Sequence, residues 1–359
     1  MNQHHQIGGI EVIQREGRVT LHDVAAAAGV SKSTVSRILD ERLPRSESET
    51  AKRVREAALE LGYIRDNSAA SLRRGKTMTL GVIVPRLTDT VMAMLYEAIT
   101  RAATRTHQFA IVATTEDQPE QVRIAADRLL NRGVDGLILA TARDDDPFPA
   151  ELRARGVPFV LALRTDGESP SSIGDDRLGG YLATRHLIDL GHTRIGLISG
   201  PGFASSARLR REGFQDAMAE AGLRIQPEWI VDSSFGIESG AEAADTLLRL
   251  NPRPTAIFAV NDNTAIGALS VIQRLGLSVP QDVSVVGYND IPLVSLLPIP
   301  LSTVRVPFNQ IASTALELLM RPITGDAIQM ATPTLIPRQS TAPCSTSSRQ
   351  RLMHEAIHT

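Results

Sequence analysis

Apolar residues near the amino terminus recur at the spacing of two short helices. Leu21, Val24, Ala25 and Ala28 fall at positions i, i+3, i+4 and i+7, which form one face of a helix. The pattern stops at Gly29, and a residue without Cβ enters the left-handed backbone of a tight turn at little cost. We therefore predict a first helix, a turn at Gly29 and a second helix after it.

Polar residues favour the same boundaries. Thr20 can cap the first helix with Asp23 as its reciprocal partner, and Ser31 can begin the second. The second helix has three apolar residues on its inward face, Val35, Ile38 and Leu39. Its outward face carries hydrogen-bond donors with no carboxylate among them, Lys32, Ser33, Ser36 and Arg37. A small packed helix pair with such a donor face fits the major groove of DNA.

A third helix is predicted shortly after this pair. The segment Ser46 to Glu49 offers a capping box, and Gly62 can end the helix. Its buried face is expected to contain Val54, Ala57, Ala58 and Leu61. Three helices of this size form a domain of roughly 45 residues, which is marginally stable alone.

From Thr77 onward the pattern changes to continuous apolar strands separated by amphipathic helical segments such as 122–130 and 180–190. The strand candidates are residues 80–84, 109–113, 136–140, 159–163, 195–199, 256–260 and 283–287. Strands of this kind predict parallel sheets covered on both faces. The pattern runs in two halves, before and after about Gly174, so we expect a ligand in the cleft between them.

Charge distribution modifies this picture more than net charge does. The 359 residues allow two or three domains, and the net charge of −2 does not by itself indicate nucleic acid. Between Val19 and Lys76, however, 11 Lys and Arg stand against eight Asp and Glu, a surplus suited to phosphate neutralisation. The alternative is an ordinary helical hairpin with solvated Lys and Arg. We favour DNA binding, because Ser, Thr and Arg occupy the positions where Glu–Lys pairs would normally stand.

Composition also limits the compartment and the chemistry. A single cysteine, Cys344, rules out an intramolecular disulfide and disfavours a cysteine-based metal cluster. Adjacent His4 and His5 lie in a patternless segment, and we discount them as metal ligands. No stretch resembles a signal peptide or a membrane span. We expect a soluble cytoplasmic protein without metal or cofactor.

Residues 67–76, NSAASLRRGK, have two interpretations. They can be an unremarkable linker. They can also form a short helix that becomes ordered only on DNA, with Arg73 and Arg74 on phosphates and Leu72 wedged between base pairs from the minor groove. The residues alone do not choose between the two.

Several segments together resemble the lactose/galactose repressor (LacI/GalR) family over about Val19 to Thr341. They read TLHDVAAAAGVSKSTVSRIL, ELGYIRDNSAASLRRGKTMTLGVIVP, VDGLILA, DDRLGGYLATRHLIDLGHTRIGLISG, RREGF, PTAIFAVND and VPQDVSVVGYNDIP. The resemblance implies an N-terminal all-α helix-turn-helix domain and a two-lobed α/β body like the periplasmic binding proteins. It also implies a homodimer, or a tetramer built from two dimers, on a near-palindromic operator, controlled by a small-molecule effector.

The implied domain organisation has five segments. They are an extension (1–18), the helix-turn-helix domain (19–64), a hinge (65–76), the effector and dimerisation body (77–341) and a tail (342–359). Within the body, lobe 1 would span about 77–173 and 305–329, and lobe 2 about 174–304 and 330–341.

The resemblance also implies the DNA contacts. Lys32, Ser33 and Arg37 would contact bases, whereas Thr34 and Ser36 would contact phosphates. In the hinge, Leu72 occupies the wedging position. Ala70 and Asp66 depart from the common arginine and proline, so hinge ordering would depend more on Arg73, Arg74 and dimer contact.

Effector contacts implied by the resemblance are Asp89, Ser206, Arg210, Phe235, Asn261 and Asn289. Arg210 can fork onto hydroxyls or a carboxylate, Asn261 can donate and accept, and Phe235 offers an apolar wall. Each also has an ordinary role, as a solvated, capping or core residue. We favour ligand binding for Arg210 and Asn261, and helix capping for Asp262.

Departures from the family leave the effector class open. Asp89-Thr90-Val91-Met92 stands where Asn-Pro-Phe-Phe is frequent, and Leu163 and Asn289 replace acidic residues. The ligand is therefore a molecule less hydroxylated than a hexose, an anion paired with Arg210, or a neutral monosaccharide.

The competing class is a solute-binding protein or a sugar-processing enzyme with the same lobes. A carrier would need an export signal. The obvious carboxylates, Asp175-Asp176 and Asp144-Asp145-Asp146, suggest a helix cap and a solvated loop, and His107, His186 and His192 show no triad spacing. We therefore predict a ligand-responsive transcriptional regulator, a repressor in most members of the family, and not an enzyme.

Overall fold

The computed structural model describes residues 19–40, 43–64, 76–320 and 327–344. Backbone proximity divides the chain into two units, residues 1–77 and 78–359, which we describe separately. Within the described residues, no helix combines the length and apolar composition that a membrane crossing requires.

The first unit contains helices α1 (Leu21–Ala28), α2 (Lys32–Ile38) and α3 (Glu49–Glu60). Thr20 and Asp23 form the predicted capping box, in which the Thr20 amide donates to the Asp23 carboxylate at 2.8 Å. Gly29 follows with a left-handed φ of 63°, as the turn requires. The cap of α3 is Ser48, within the predicted segment, and Val24, Val35 and Val54 are fully buried between the helices.

The second unit contains two six-stranded sheets, each forming one lobe. The lobe 1 sheet has the order β11-β5-β4-β3-β1-β2, and all its pairs are parallel. Its strands are β1 (Thr79–Val84), β2 (Phe109–Thr114), β3 (Gly136–Leu139), β4 (Phe159–Ala162), β5 (Ser171–Gly174) and β11 (Ile328–Ala331). Its helices are α4 (Thr90–Arg105), α5 (Pro119–Asn131), α6 (Phe148–Ala154) and α11 (Phe308–Met320).

The lobe 2 sheet has the order β12-β10-β9-β8-β6-β7 and ends in one antiparallel pair, β10 with β12. Its strands are β6 (Ile195–Ser199), β7 (Ile230–Asp232), β8 (Ala256–Ala259), β9 (Ser284–Asn289), β10 (Ser302–Arg305) and β12 (Thr334–Ile336). Its helices are α7 (Asp176–Asp189), α8 (Ser205–Glu220), α9 (Ile237–Leu248) and α10 (Asp262–Arg274). Short 3-10 turns cover Pro227–Trp229 and Pro292–Ser295.

The chain crosses between the lobes three times, after β5, after β10 and after β11. The last crossing follows Ala331, two residues beyond the expected boundary at 329/330, and Arg305 ends a strand of lobe 2 rather than beginning lobe 1. All seven predicted strands are present. The five other strands of the described residues, β5, β7, β10, β11 and β12, have three or four residues each, and none of them contains four consecutive apolar residues. Such segments carry too little apolar pattern to be predicted from the sequence.

Candidate functional site

The outward face of α2 carries the side chains predicted to contact DNA. Lys32, Ser33 and Arg37 are exposed, while Thr34 and Ser36 are partly buried. The Ser31 hydroxyl caps the helix by accepting from the Thr34 amide at 3.2 Å. It also lies 2.8 Å from the hydroxyls of Ser33 and Thr34, so these side chains form one hydrogen-bonded cluster at the start of the helix.

This face lines a shallow concave surface together with Leu21, Asp40 and Leu43. Asp40 puts a carboxylate at the edge of a surface that the sequence pattern had assigned to donors alone. It was missed because it follows the last turn of α2. The predicted hinge residues Leu72, Arg73 and Arg74 lie outside the described residues.

A cavity with an open mouth lies between the two lobes of the second unit. It is formed by the loops and helix starts that follow strands of both sheets, where ligands bind in folds of this type. The six side chains predicted to contact an effector all line it, Asp89 from lobe 1 and Ser206, Arg210, Phe235, Asn261 and Asn289 from lobe 2.

Arg210 occupies the wall of this cavity in a fixed orientation. Its Nε donates to Asp176 Oδ1 at 2.8 Å, and its Nη1 donates to the carbonyl of Val260 at 2.8 Å. The guanidinium carbon lies 3.7 Å from the centroid of the Tyr288 ring, which supports the flat group from one side. Because Arg210 and Asp176 are both buried, the guanidinium has one orientation available.

Asp176 and Arg210 form a buried ion pair in which burial and the charge of the partner act against each other on both pKa values. Burial raises the pKa of the Asp176 carboxyl, and the neighbouring guanidinium opposes that shift. Burial would lower the pKa of Arg210, but the charge of Asp176 holds this pKa above its ordinary value. A guanidinium does not lose its proton in proteins, so a buried one requires a counter-charge.

Sequence reasoning missed a second arginine pair. Arg164 follows β4 and Asp117 follows β2, and both line the cavity. Arg164 donates to both oxygens of Asp117, at 2.9 and 3.1 Å. Their positions in the sequence could have identified them, because each residue follows shortly after the carboxyl end of a strand, and the carboxyl ends of the strands face the cleft.

Several residues around the cavity have left-handed backbones although they are not glycine. Asp117, Leu163, Phe235 and Asn289 have φ values of 58°, 63°, 68° and 107°. Such conformations cost about 1–3 kcal/mol each and persist where the surrounding structure enforces them. The cavity wall is therefore built from strained, well-determined backbone.

Asn261 takes the helix-capping role that we favoured for Asp262 from the sequence, and it also lines the cavity. Asn261 is the cap of α10, since its side chain accepts from the Thr264 amide at 2.8 Å and donates to the Phe235 carbonyl at 3.0 Å. Asp262 is the first residue of the helix and accepts from the Ile291 amide and the Thr303 hydroxyl. Capping by Asp262 was therefore wrong, because its carboxylate faces the sheet of lobe 2 instead.

Asp89 connects the lobes at the other side of the cavity. Its carboxylate caps α4 through the Val91 amide at 3.0 Å and accepts from Asn263 of lobe 2 at 3.3 Å. Burial raises the pKa of Asp89, and these two hydrogen bonds oppose the shift. Across the described ranges, no cluster of three His, Cys, Asp or Glu side chains could hold a metal ion.

Family models match both units. Residues 20–66 match the lacI family of bacterial regulatory proteins, and residues 184–341 match a periplasmic binding protein-like domain. The ribose operon repressor of Escherichia coli K12 is 36% identical over 328 residues, covering 89% of this chain and 99% of that protein. The HTH-type transcriptional repressor PurR of Photobacterium profundum is 36% identical over 305 residues, 84% of this chain and 91% of that protein.

Solved structures agree with this assignment. The Lac repressor dimer bound to operator and the anti-inducer ONPF is 30% identical, with a TM-score of 0.79, and the match covers 91% of this chain and all of that one. A LacI family regulator of Enterococcus faecium with bound ribose is 28% identical, with a TM-score of 0.64, over 74% of this chain and all of that one.

A helix-turn-helix unit followed in the chain by a two-lobed ligand-binding body defines a DNA-binding transcriptional regulator controlled by a small molecule. The chain belongs to the lacI family of bacterial regulatory proteins. The relatives named above are regulators and not enzymes.

Proposed function

We propose that this regulator is a cytoplasmic homodimeric repressor that binds a near-palindromic operator through α2 and releases it when a small carbohydrate occupies the interlobe cavity. The observation that carries the proposal is the convergence of Asp89, Ser206, Arg210, Phe235, Asn261 and Asn289 on one cavity. Together they offer donors, acceptors and one flat apolar wall, which is the chemistry of a polyhydroxylated ring. Arg164 belongs to the same set, because its guanidinium lines the cavity.

On the DNA side, Arg37 is suited to bidentate contact with guanine, and Lys32 and Ser33 contact neighbouring base edges. Thr34 and Ser36 contact phosphates. Leu72, Arg73 and Arg74 belong to the hinge, with the leucine as a minor-groove wedge and the arginines on phosphates. Operator affinity is therefore expected to fall steeply as salt rises.

The relatives support a carbohydrate as the effector, since one is the ribose operon repressor and one neighbour contains bound ribose. A planar nucleobase is the alternative, because the cavity wall also offers the ring of Phe235. Met92 lies at the cavity wall, and family members often have an aromatic residue in this segment. Among the described residues that line the cavity, a planar base would have only the Phe235 ring to stack on, so we favour the sugar.

Control requires that the effector bind two arrangements of the lobes with different affinity. A change from mostly operator-bound to mostly free requires a difference of about 5 kcal/mol between the two arrangements. Closure of the lobes around a ligand is expected to supply this free-energy difference by altering the dimer contacts and the ordering of the hinge.

The test begins with selection of binding sites from random duplexes by the full chain. Operator affinity is then titrated against pentoses, hexoses and purines. We expect the selected site to be near-palindromic and one sugar to lower the affinity for it. A chain without residues 1–76 should still bind that sugar and should no longer bind DNA. If no duplex is enriched, the proposal that this protein binds an operator is refuted. If only purines change operator affinity, the proposal that the effector is a sugar is refuted.

A further inference from the structure

Two of the three arginines that line the interlobe cavity, Arg210 and Arg164, are buried and have a carboxylate of their own, whereas the third, Arg86, is exposed to solvent. Arg210 and Asp176 are 7% and 3% exposed, and they are joined by a 2.8 Å hydrogen bond. Arg164 is 4% exposed and is held by both oxygens of Asp117. Each of these two buried guanidiniums therefore reaches the cavity with its charge already compensated.

Helix packing enforces the first pair. A Cβ at Gly180 of α7 would lie 2.2 Å from the Arg210 carbonyl, and one at Gly213 of α8 would lie 2.0 Å from the Arg177 carbonyl. The two helices can approach this closely only because both residues lack side chains. This approach puts Asp176, the first residue of α7, within hydrogen-bond distance of Arg210.

Donors remain on both guanidiniums after these contacts. A guanidinium has five N–H groups, and the protein uses two donor atoms of Arg210 and two of Arg164. The remaining N–H groups can donate to neutral hydroxyl oxygens. An anion beside the two buried guanidiniums would lose its hydration without meeting an uncompensated positive charge, which is unfavourable, while the charge of the exposed Arg86 is screened by solvent.

We propose that Asp176 and Asp117 are the positioning residues that set the charge class of the effector, so that the cavity selects an uncharged polyhydroxylated molecule and rejects anions. Asp176 does this by orienting Arg210 against Tyr288 and cancelling its charge, and Asp117 does the same for Arg164. The inference rests on the proposed function, because it assumes that this cavity is the effector site.

The test measures binding of inorganic phosphate by calorimetry to the full chain at constant ionic strength. The wild-type protein should show no saturable binding. Asp176→Asn keeps an oxygen acceptor for Arg210 but removes the counter-charge, so it should bind phosphate saturably, at least about ten-fold more tightly than the weakest binding that the titration detects. Asp117→Asn should gain phosphate binding through Arg164. Adding Arg210→Gln to Asp176→Asn should abolish the phosphate binding that Asp176→Asn gains.

A matched control separates this role from a general change of charge. Asp216 pairs with Arg177 at 2.6 Å on the exposed side of α8, away from the cavity lining. Asp216→Asn removes the same charge and should gain no phosphate binding. A merely structural role for Asp176 would lower stability without creating an anion site.

Two results would overturn the inference. One is saturable phosphate binding by the wild-type protein as tight as that of the variants, and the other is no gain in folded variants. Should Asp176→Asn fail to fold, Asp117→Asn and the wild-type protein still decide the question, because the Asp117 side chain is 16% exposed and more tolerant of change. The phosphate experiment contains neither operator nor sugar. Failure of the proposed function would therefore appear in the operator titrations and not in the phosphate binding.

Discussion

The guanidinium carbon of Arg143 in lobe 1 lies 3.6 Å from the centroid of the Phe203 ring in lobe 2. The same loops are joined by a backbone hydrogen bond, from the Asp144 amide to the Phe203 carbonyl at 2.9 Å. Arg208 of α8 adds an ion pair to Asp144 at 3.2 Å. These contacts form a clasp between residues 143–144 and 203–208, beside the interlobe cavity, whose lining residue Asp117 accepts a hydrogen bond from Arg143 through its carbonyl.

The first prediction concerns this clasp. Phe203→Ala removes the ring and is expected to weaken effector binding about five-fold, because lobe closure loses a cation–π contact of about 1 kcal/mol. Titration calorimetry measures the affinity, and hydrogen exchange across residues 141–146 should become faster. Phe109→Ala is the matched control, since Phe109 is 67% exposed at a sheet edge. Equal effector affinity and equal hydrogen exchange in the two variants would show that the clasp does not contribute to lobe closure.

The second prediction concerns base recognition. Arg37→Ala is expected to weaken operator binding by about ten- to a hundred-fold, because a bidentate contact with guanine is worth about 1–3 kcal/mol. Non-specific binding should fall much less. Fluorescence anisotropy with operator and scrambled duplexes measures both. Lys52→Ala on α3 is the control, because Lys52 already pairs with Glu49 at 2.9 Å and lies off the α2 surface. Equal losses on the two duplexes would contradict base readout by Arg37.

The third prediction concerns the stability of the Asp176–Arg210 pair. Arg210→Ala leaves a buried carboxylate without its partner and is expected to lower the free energy of unfolding by about 3–5 kcal/mol. Combining Asp176→Asn with Arg210→Ala should recover part of this loss. Urea denaturation of the four proteins gives the coupling energy between the two positions. Additive effects would mean that the pair contributes no mutual stabilisation.

The fourth prediction concerns pH. Burial raises the pKa of Asp262 to about 7 from an ordinary value of 3.8, despite hydrogen bonds from Thr303 and Ile291. Between these two values the folded protein binds more protons than the unfolded chain at this carboxyl. Its contribution to stability therefore decreases as pH rises from about 4 to about 7 and stays low above that range, a total of about 4 kcal/mol.

Asp262→Asn does not ionise and should lack this decrease. The free energy of unfolding, measured in urea at pH 5, 6, 7 and 8, should show the wild-type protein losing stability relative to the variant as pH rises. A constant difference across this range would mean that Asp262 is ionised throughout.

Much of the architecture was predictable because it depends on local pattern. The capping box of Thr20 with Asp23 and the turn at Gly29 are determined by residues three to nine positions apart, and both are present. Strand β6 has the predicted bounds, because a continuous apolar segment between two helices restricts where the strand can begin and end. The short strand β5 was missed, because its serines are buried by neighbouring elements and not by their own hydrophobicity.

Local sequence patterns were enough to predict the helix-turn-helix unit and the two-lobed α/β body, and the family resemblance supplied the six candidate effector side chains. Three features required the folded chain: Arg210 reaches the cavity with the charge of Asp176 beside it, Arg164 and Asp117 lie across from it, and Asn261 rather than Asp262 caps α10. The difference lies in distance along the chain. Caps and periodicity act within one or two turns, whereas ion pairs such as Arg164 with Asp117 join residues that only sheet formation brings together.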